Sequence, residues 1–290
     1  MFKLAFSIFV LLRKKDMDYN IKLSNGQVLK GFIKSPGDNM RALILMVHGH
    51  GEHIQRYGHW AELFNENNIG FTGVDLPGHG RSDGKRGHVR DEALLNEMMD
   101  VLLGETGKTF SGVPVFLYGH SLGGVIVLNY LLKKNPKIKG AIVTSPALRL
   151  AFEPGKAKLA LAAIMKNILP GLIQPTGLPV EYLSHDKAVL EKYINDPLVH
   201  GKISVALFHA WMSSSDYSLS HASELETPLL ILHGDEDLVC SIKGSNEFVS
   251  SKTGVVKFKV WEGGYHELHN EPFKKEVFDY ILNWINNELS

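Results

Sequence analysis

The chain has 290 residues, 44% of them apolar, and its 31 basic and 31 acidic side chains give a formal net charge of zero. That length and apolar content suffice to bury the core of one large domain. Neutrality without a basic stripe excludes broad nucleic-acid binding, and a single cysteine excludes an intrachain disulfide. The 14 histidines are scattered without the pair spacing of a zinc site, so neither a metal nor a cofactor is expected.

The first segment, residues 1–16, carries a nearly continuous apolar run from Leu4 to Leu12 followed by Arg13-Lys14-Lys15. The run is too short to span a bilayer. Its charge cluster follows the apolar stretch, the reverse of a secretory signal. The segment reads as a surface-lying membrane anchor or as untranslated leader with the start at Met17. The second is preferred, because Met17-Asp18-Tyr19 leads directly into a strand pattern.

Tyr19 to Ser24 and Gln27 to Lys34 predict a hairpin around Asn25-Gly26. Short apolar runs follow at Ala42 to Val47, Gly70 to Val74, Val115 to Tyr118 and Gly140 to Thr144, with helix-length segments between them. This alternation predicts an α/β fold on a mainly parallel sheet. From about Ala147 to Ser223 it gives way to prolines, glycines and helical fragments with no strand pattern. It resumes at Pro228 to His233 and Val255 to Trp261, the second alternating around lysines as a strand nearer the sheet edge does. Pro272 to Leu289 reads as a closing amphipathic helix. The expected organisation is a core, residues 17–146 and 224–290, interrupted by a cap, residues 147–223, over the site.

Within this frame Gly119-His120-Ser121-Leu122-Gly123 places a serine between glycines where a buried strand meets a helix. Such a turn exposes a nucleophile, and small neighbours let other backbones approach it. A serine hydroxyl needs a base, and the base needs a group to hold its tautomer. An elbow of this kind is followed in chain order by acid and then histidine. The loop after Pro228 to His233 offers Asp235, Glu236 and Asp237, among which spacing does not choose. The loop after Val255 to Trp261 offers His266, with His269 as a neighbouring alternative. The position after Gly140 to Thr144 holds Ser145-Pro146-Ala147 and no carboxylate. An oxyanion needs two backbone donors. Leu122 supplies one, and His50, in the turn His48-Gly49-His50-Gly51, supplies the other.

These motifs extend along nearly the whole chain: His48-Gly49-His50-Gly51-Glu52-His53 with Arg56 and Tyr57, Asp75 to Ser82, Gly119 to Gly124, Tyr193 with Asp196-Pro197-Leu198, Asp235 to Cys240, and Glu262 to His269. Together they resemble the alpha/beta-hydrolases, and within them the monoacylglycerol lipases and related lysophospholipases. The resemblance implies an alpha/beta-hydrolase fold with a helical cap. It implies Ser121 as nucleophile, Asp237 as orienting acid, His266 as base, and main-chain oxyanion donors at His50 and Leu122. It also implies that Glu52, Arg56, Tyr193 and His269 surround the polar end of the pocket, where glycerol would sit. Cys240 matches a cysteine the family keeps near its acid, and a small buried thiol is the plain alternative. His50 departs from the family, whose members often carry a small residue there.

The implied substrate is a small lipid ester. Monoacylglycerol comes first, with lysophospholipid, general carboxylester or thioester as alternatives, and a peptidase or a non-catalytic binding scaffold behind them. Dehalogenases and epoxide hydrolases of this fold use aspartate at the elbow, which Ser121 argues against. The expected setting is cytoplasmic. The apolar stretch Leu159 to Met165, flanked by lysines, reads either as a buried helix or as a cap surface in peripheral contact with a membrane.

Overall fold

The computed structural model describes residues 17–151, 164–251 and 254–290. The leader, residues 1–16, and nearly all of the apolar stretch 159–165 lie outside the described residues. Asn25 and Gly26 turn the chain between β1 (Met17–Lys22) and β2 (Val28–Lys34), with Gly26 at a φ of 88°. The remaining core strands are β3 (Ala42–Val47), β4 (Ile69–Val74), β5 (Val115–His120) and β6 (Gly140–Thr144), then β9 (Leu229–Gly234) and β10 (Val256–Trp261) after the insertion. They form an eight-stranded sheet in the order β1-β2-β4-β3-β5-β6-β9-β10. β1 and β2 enter antiparallel, and every pairing from β4 to β10 is parallel.

The central strands are buried on both faces, which is why they read as unbroken apolar runs. Alternate side chains go to opposite sides. Ile44, Met46, Phe116, Tyr118, Ile142, Leu230 and Leu232 pack with Trp60 and Phe64 of α1 (Gly58–Glu66) and with Phe278, Ile281 and Trp284 of the closing helix (Lys274–Leu289). Leu45, Leu117, Val143 and Ile231 face the other way. There they meet α2 (Glu92–Thr109) and α3 (Leu122–Lys134). β10 is one of the two edge strands, with side chains at most partly covered, as its lysines suggest.

Between β6 and β9 the chain does contain strands, contrary to the sequence reading. β7 (Ile173–Pro175) and β8 (Lys202–Ser204) pair antiparallel. At three residues each they are too short to carry a period. Around them lie α4 (Lys187–Asn195) and α5 (Val205–Ser220), and the latter packs on the core through Leu207, Trp211 and Leu219. After β9 comes α6 (Ile242–Ser250), and Lys274–Leu289 is α7. Asp91, Asp186, Ser204 and Ser241 cap the starts of α2, α4, α5 and α6 by accepting backbone N–H bonds. Among the described residues no helix is long and apolar enough to cross a membrane.

Candidate active site

Ser121 joins β5 to α3 with φ 53° and ψ −118°. A non-glycine residue in this region stores about 1–3 kcal/mol of strain, which persists only where the surroundings over-determine it. Here they do. Ser121 N donates to Thr144 O at 3.0 Å, and Ser121 O accepts from Val125 N at 3.2 Å and Ala147 N at 3.1 Å. Gly123 is required by close approach, since a Cβ there would stand 2.0 Å from the Val47 carbonyl oxygen. The end of β3 and the elbow are thereby in contact.

The loop after β3 is held in one shape by its own side chains. His48 Nδ1 donates to Gly49 O at 2.8 Å while Nε2 accepts from Leu76 N at 2.8 Å, so the ring is neutral, and burial pushes its pKa down to about 3. Gly49 N donates to Glu52 Oε1 at 2.6 Å. A Cβ on Gly49 would lie 3.1 Å from Ser121 Cβ, which places this turn against the serine. Among the described residues, neither His50 N nor Leu122 N is used by another hydrogen bond, and both amides remain available for an anion. The His50 imidazole packs beside His79, His200 and Trp211, with ring centroids at 5.2, 5.7 and 6.2 Å. Burial, then His200, lowers its pKa to about 3, so this wall is uncharged at neutral pH.

Of the three candidate acids, Asp235 and Glu236 are exposed, and Asp235 accepts from Gly263 N at the surface. Asp237 is buried. Its Oδ1 accepts from Val239 N at 2.8 Å and Cys240 N at 2.9 Å, and its Oδ2 accepts from His266 Nδ1 at 2.8 Å. His233 Nε2, which donates to Cys240 O at 3.0 Å, lies 3.2 Å from the same Oδ2. Burial opposes ionisation of Asp237, yet His266 and the bonds it accepts hold its pKa well below the usual carboxylate range.

Because a carboxylate only accepts, His266 carries its proton on Nδ1, leaving Nε2 bare when the ring is neutral. His266 and Ser121 line one cavity, together with Gly49, His50 and Glu52. The Ser121 hydroxyl is turned to Cys240 Sγ, 3.9 Å away, and among the described residues makes no hydrogen bond to His266. The base contact therefore requires a change of serine rotamer, a hop between staggered wells. His269 does not reach Asp237. It is buried in the 3-10 turn Leu268–Asn270, its ring stacked on Tyr57 at 4.6 Å and edge-on to His120 at 4.8 Å.

Burial lowers the pKa of His266, but the Asp237 charge and hydrogen bond outweigh it, and the net direction is upward. A base must be neutral, so a raised value keeps the inactive, protonated form populated to higher pH. The acid limb of kcat/KM is therefore expected above the ordinary histidine value of about 6.5. A pH–rate profile with an acid limb below that value contradicts the geometry.

The polar side of the cavity is built around Arg56. Its guanidinium forks onto Glu267 through two bonds of 2.7 Å and gives one bond to Glu52 Oε2, while Tyr57 Oη donates to Glu52 Oε1 at 2.7 Å. Two carboxylates share one cation, and the bidentate partner has the advantage. Burial disfavours the charge on Glu267, but Arg56 prevails and brings its pKa to about 2. Burial dominates at Glu52, whose pKa is raised. Glu52 and Tyr193 line the cavity, whereas Arg56 stands behind it with its guanidinium 4.7 Å from the centre of the Tyr193 ring. His269 likewise lies outside the lining. Arg56→Ala leaves two buried carboxylates without their cation, and a loss of about 3–5 kcal/mol in denaturant unfolding is expected. Unchanged stability would show that Arg56 is not coupled to Glu52 and Glu267.

Two features of the wall carried no sequence signal. Glu267 meets Arg56 across 211 positions, and His120 lies against His266 with ring centroids 4.8 Å apart. Among the described residues, no group of three or more His, Cys, Asp or Glu could hold a metal ion.

Residues 38–273 match the family described as Serine aminopeptidase, S33 (Hydrolase_4). A monoacylglycerol lipase of Mycolicibacterium smegmatis is 32% identical over 257 residues, 88% of this chain and 91% of that protein. The chain belongs to the alpha/beta-hydrolases, among their monoacylglycerol lipase-like members. This alpha/beta-hydrolase is also similar to the crystal structure of Paleococcus ferrophilus monoacylglycerol lipase, with a TM-score of 0.83 and 32% identity, covering 90% of this chain and 99% of that one. An abhydrolase domain-containing protein of Dictyostelium discoideum is 35% identical over 274 residues, and the chain spans 29% of its length. The protein is accordingly a hydrolase of lipase-like kind.

Proposed function

We propose that this alpha/beta-hydrolase is a serine carboxylester hydrolase that cleaves monoacylglycerol, or a similar single-chain lipid ester, to fatty acid and glycerol. Ser121 Oγ passes its proton to His266 Nε2 and attacks the ester carbonyl. The oxyanion accepts from the amides of His50 and Leu122, and Asp237 stabilises the imidazolium. His266 then protonates the departing alcohol oxygen, and water repeats the sequence on the acyl-enzyme. The observation that carries the reading is the strained Ser121 and the Asp237-bound His266 on one cavity.

That cavity is lined both by Leu178, Leu183, Trp211 and Val239 and by Glu52, Tyr193 and Glu267, which suits a substrate with one apolar and one hydroxylated end. Carboxylates accept from glycerol hydroxyls and repel a phosphate, which weighs against lysophospholipids. A second reading, an aminopeptidase, draws on the same wall: two carboxylates against one guanidinium could receive a substrate ammonium. The test is kcat/KM for monoacylglycerols, lysophospholipids, acyl thioesters and amino-terminal peptides. Monoacylglycerol is expected to lead by at least about 10-fold, a transition-state difference of about 1.4 kcal/mol. Preference for the peptides would reverse the assignment.

The exposed side chains Ile164, Ile168, Leu169 and Leu172 support peripheral membrane contact by the cap. Replacing Ile168 and Leu169 by serine is expected to reduce co-sedimentation with phospholipid vesicles while sparing hydrolysis of a water-soluble ester. Undiminished co-sedimentation would remove this surface from consideration.

A further inference from the structure

The segment 182–186, between β7 and α4, runs alongside the loop that carries His266. His266 N donates to Tyr182 O at 3.3 Å and Glu267 N to Leu183 O at 2.8 Å. Ser184 Oγ donates to Asn270 O at 2.9 Å. At the end of this seam lies Glu271, a fully buried carboxylate. Its Oε1 accepts from Tyr265 N, the residue before His266, at 3.0 Å. Its Oε2 accepts from His185 N at 3.3 Å, and His185 Nδ1 lies 3.1–3.2 Å from both oxygens. The His185 ring covers the Tyr265 ring with centroids 3.6 Å apart. Among the described residues no lysine or arginine pairs with Glu271. A buried carboxylate needs donors from its surroundings. These come from His185 in one chain segment and Tyr265 in another, distant in sequence; His185 lies 86 positions from Glu271 itself.

We infer that Glu271 is a positioning residue that fastens the 182–186 segment to the histidine loop, so that the seating of this segment over the core sets where the His266 imidazole stands. The inference rests on the serine-hydrolase reading above. Glu271 is not among the residues that line the cavity; it acts through the Tyr265 amide on one side and the 182–186 segment on the other. A displaced His266 loses the short bond to Asp237, and that partner is what raises the His266 pKa. The other groups facing His266 are Glu267 and His269 on its own loop, Glu52 from the loop after β3, and His120 from β5.

The test uses the full chain with p-nitrophenyl butyrate, and reads thermal stability, kcat, KM and the acid limb of the pH profile. In Glu271→Gln one oxygen becomes an amide nitrogen, which cannot accept from His185. The expected result is a fall in kcat of about 10²-fold, as for an ångström-scale misplacement, with KM changed less than about 3-fold and the acid limb moved to lower pH. A purely structural role would lower the melting temperature without moving that limb. Should Glu271→Gln fail to fold, half-exposed His185 carries the test. His185→Ala is expected to lower kcat about 10-fold and shift the limb the same way, and His185→Asn, which retains a side-chain N–H donor, to recover most of both. Parental kcat and acid limb in a folded Glu271→Gln, or in both His185 variants, overturn the inference. An inactive parent contradicts the hydrolase reading itself, whereas an active parent with unaltered variants contradicts only the positioning role.

Discussion

Replacing Ser121 by alanine is expected to lower kcat by about 10⁵–10⁶-fold while leaving the fold intact, because the nucleophile acts as a unit with its base. The side chain is small, and its backbone is held by the bonds to Thr144, Val125 and Ala147, none of which involves the hydroxyl. Burst kinetics and turnover with a chromogenic ester measure the loss, and the melting temperature checks the fold. The only hydrogen-bond contact of the hydroxyl among the described residues is Cys240 Sγ, and this thiol is itself fully buried. Burial raises its pKa well above the ordinary thiol value, so it is not a thiolate that could substitute as nucleophile at neutral pH. Retention of more than about a hundredth of the activity in Ser121→Ala would contradict the assignment.

The second large effect is expected at Asp237. An asparagine presents an N–H where His266 Nδ1–H needs an acceptor, or an oxygen that cannot supply the charge. Because the amides of Val239 and Cys240 need an acceptor at the other position, the amide nitrogen is the group that faces His266, and the tautomer with a bare Nε2 is no longer enforced; in the reverse orientation the tautomer survives but the charge that stabilises the imidazolium is lost. A drop in kcat of about 10⁴-fold is expected for Asp237→Asn. Asp235→Asn should fall within about 3-fold of the parent, since that side chain is exposed and, among the described residues, bonded to Gly263 N alone. Side-by-side kcat values for the two variants decide the matter, and a loss confined to Asp235→Asn would move the acid to that position.

The contrast between these two aspartates shows what the amino-acid sequence reveals and where it stops. Ala42–Val47 and Gly140–Thr144 are readable to the residue because strands covered on both faces must be apolar throughout. The serine elbow is readable because glycines must stand where other backbones come close. Asp235, Glu236 and Asp237 differ only in direction, which is set by the amides of Val239 and Cys240 and by His233 and His266. Residue type and spacing hold no trace of that; a family resemblance did. The pocket's charge arrangement was equally hidden: Arg56 pairs with Glu267, which only the fold brings near. Tyr193 and Glu52 stand on the cavity wall, while Arg56 and His269 lie behind it, a distinction of depth that a linear motif does not encode. The short pairing of β7 with β8 escaped for want of length.

The central proposition is that Ser121 is activated by an imidazole held on Asp237. Its most direct test is fluorophosphonate labelling of the folded protein at neutral pH, with the modified residue located by peptide mass spectrometry. The expected result is a single adduct on Ser121 that forms rapidly in the parent and is nearly abolished in His266→Ala. An unlabelled parent, an adduct on another residue, or undiminished labelling in His266→Ala would contradict it.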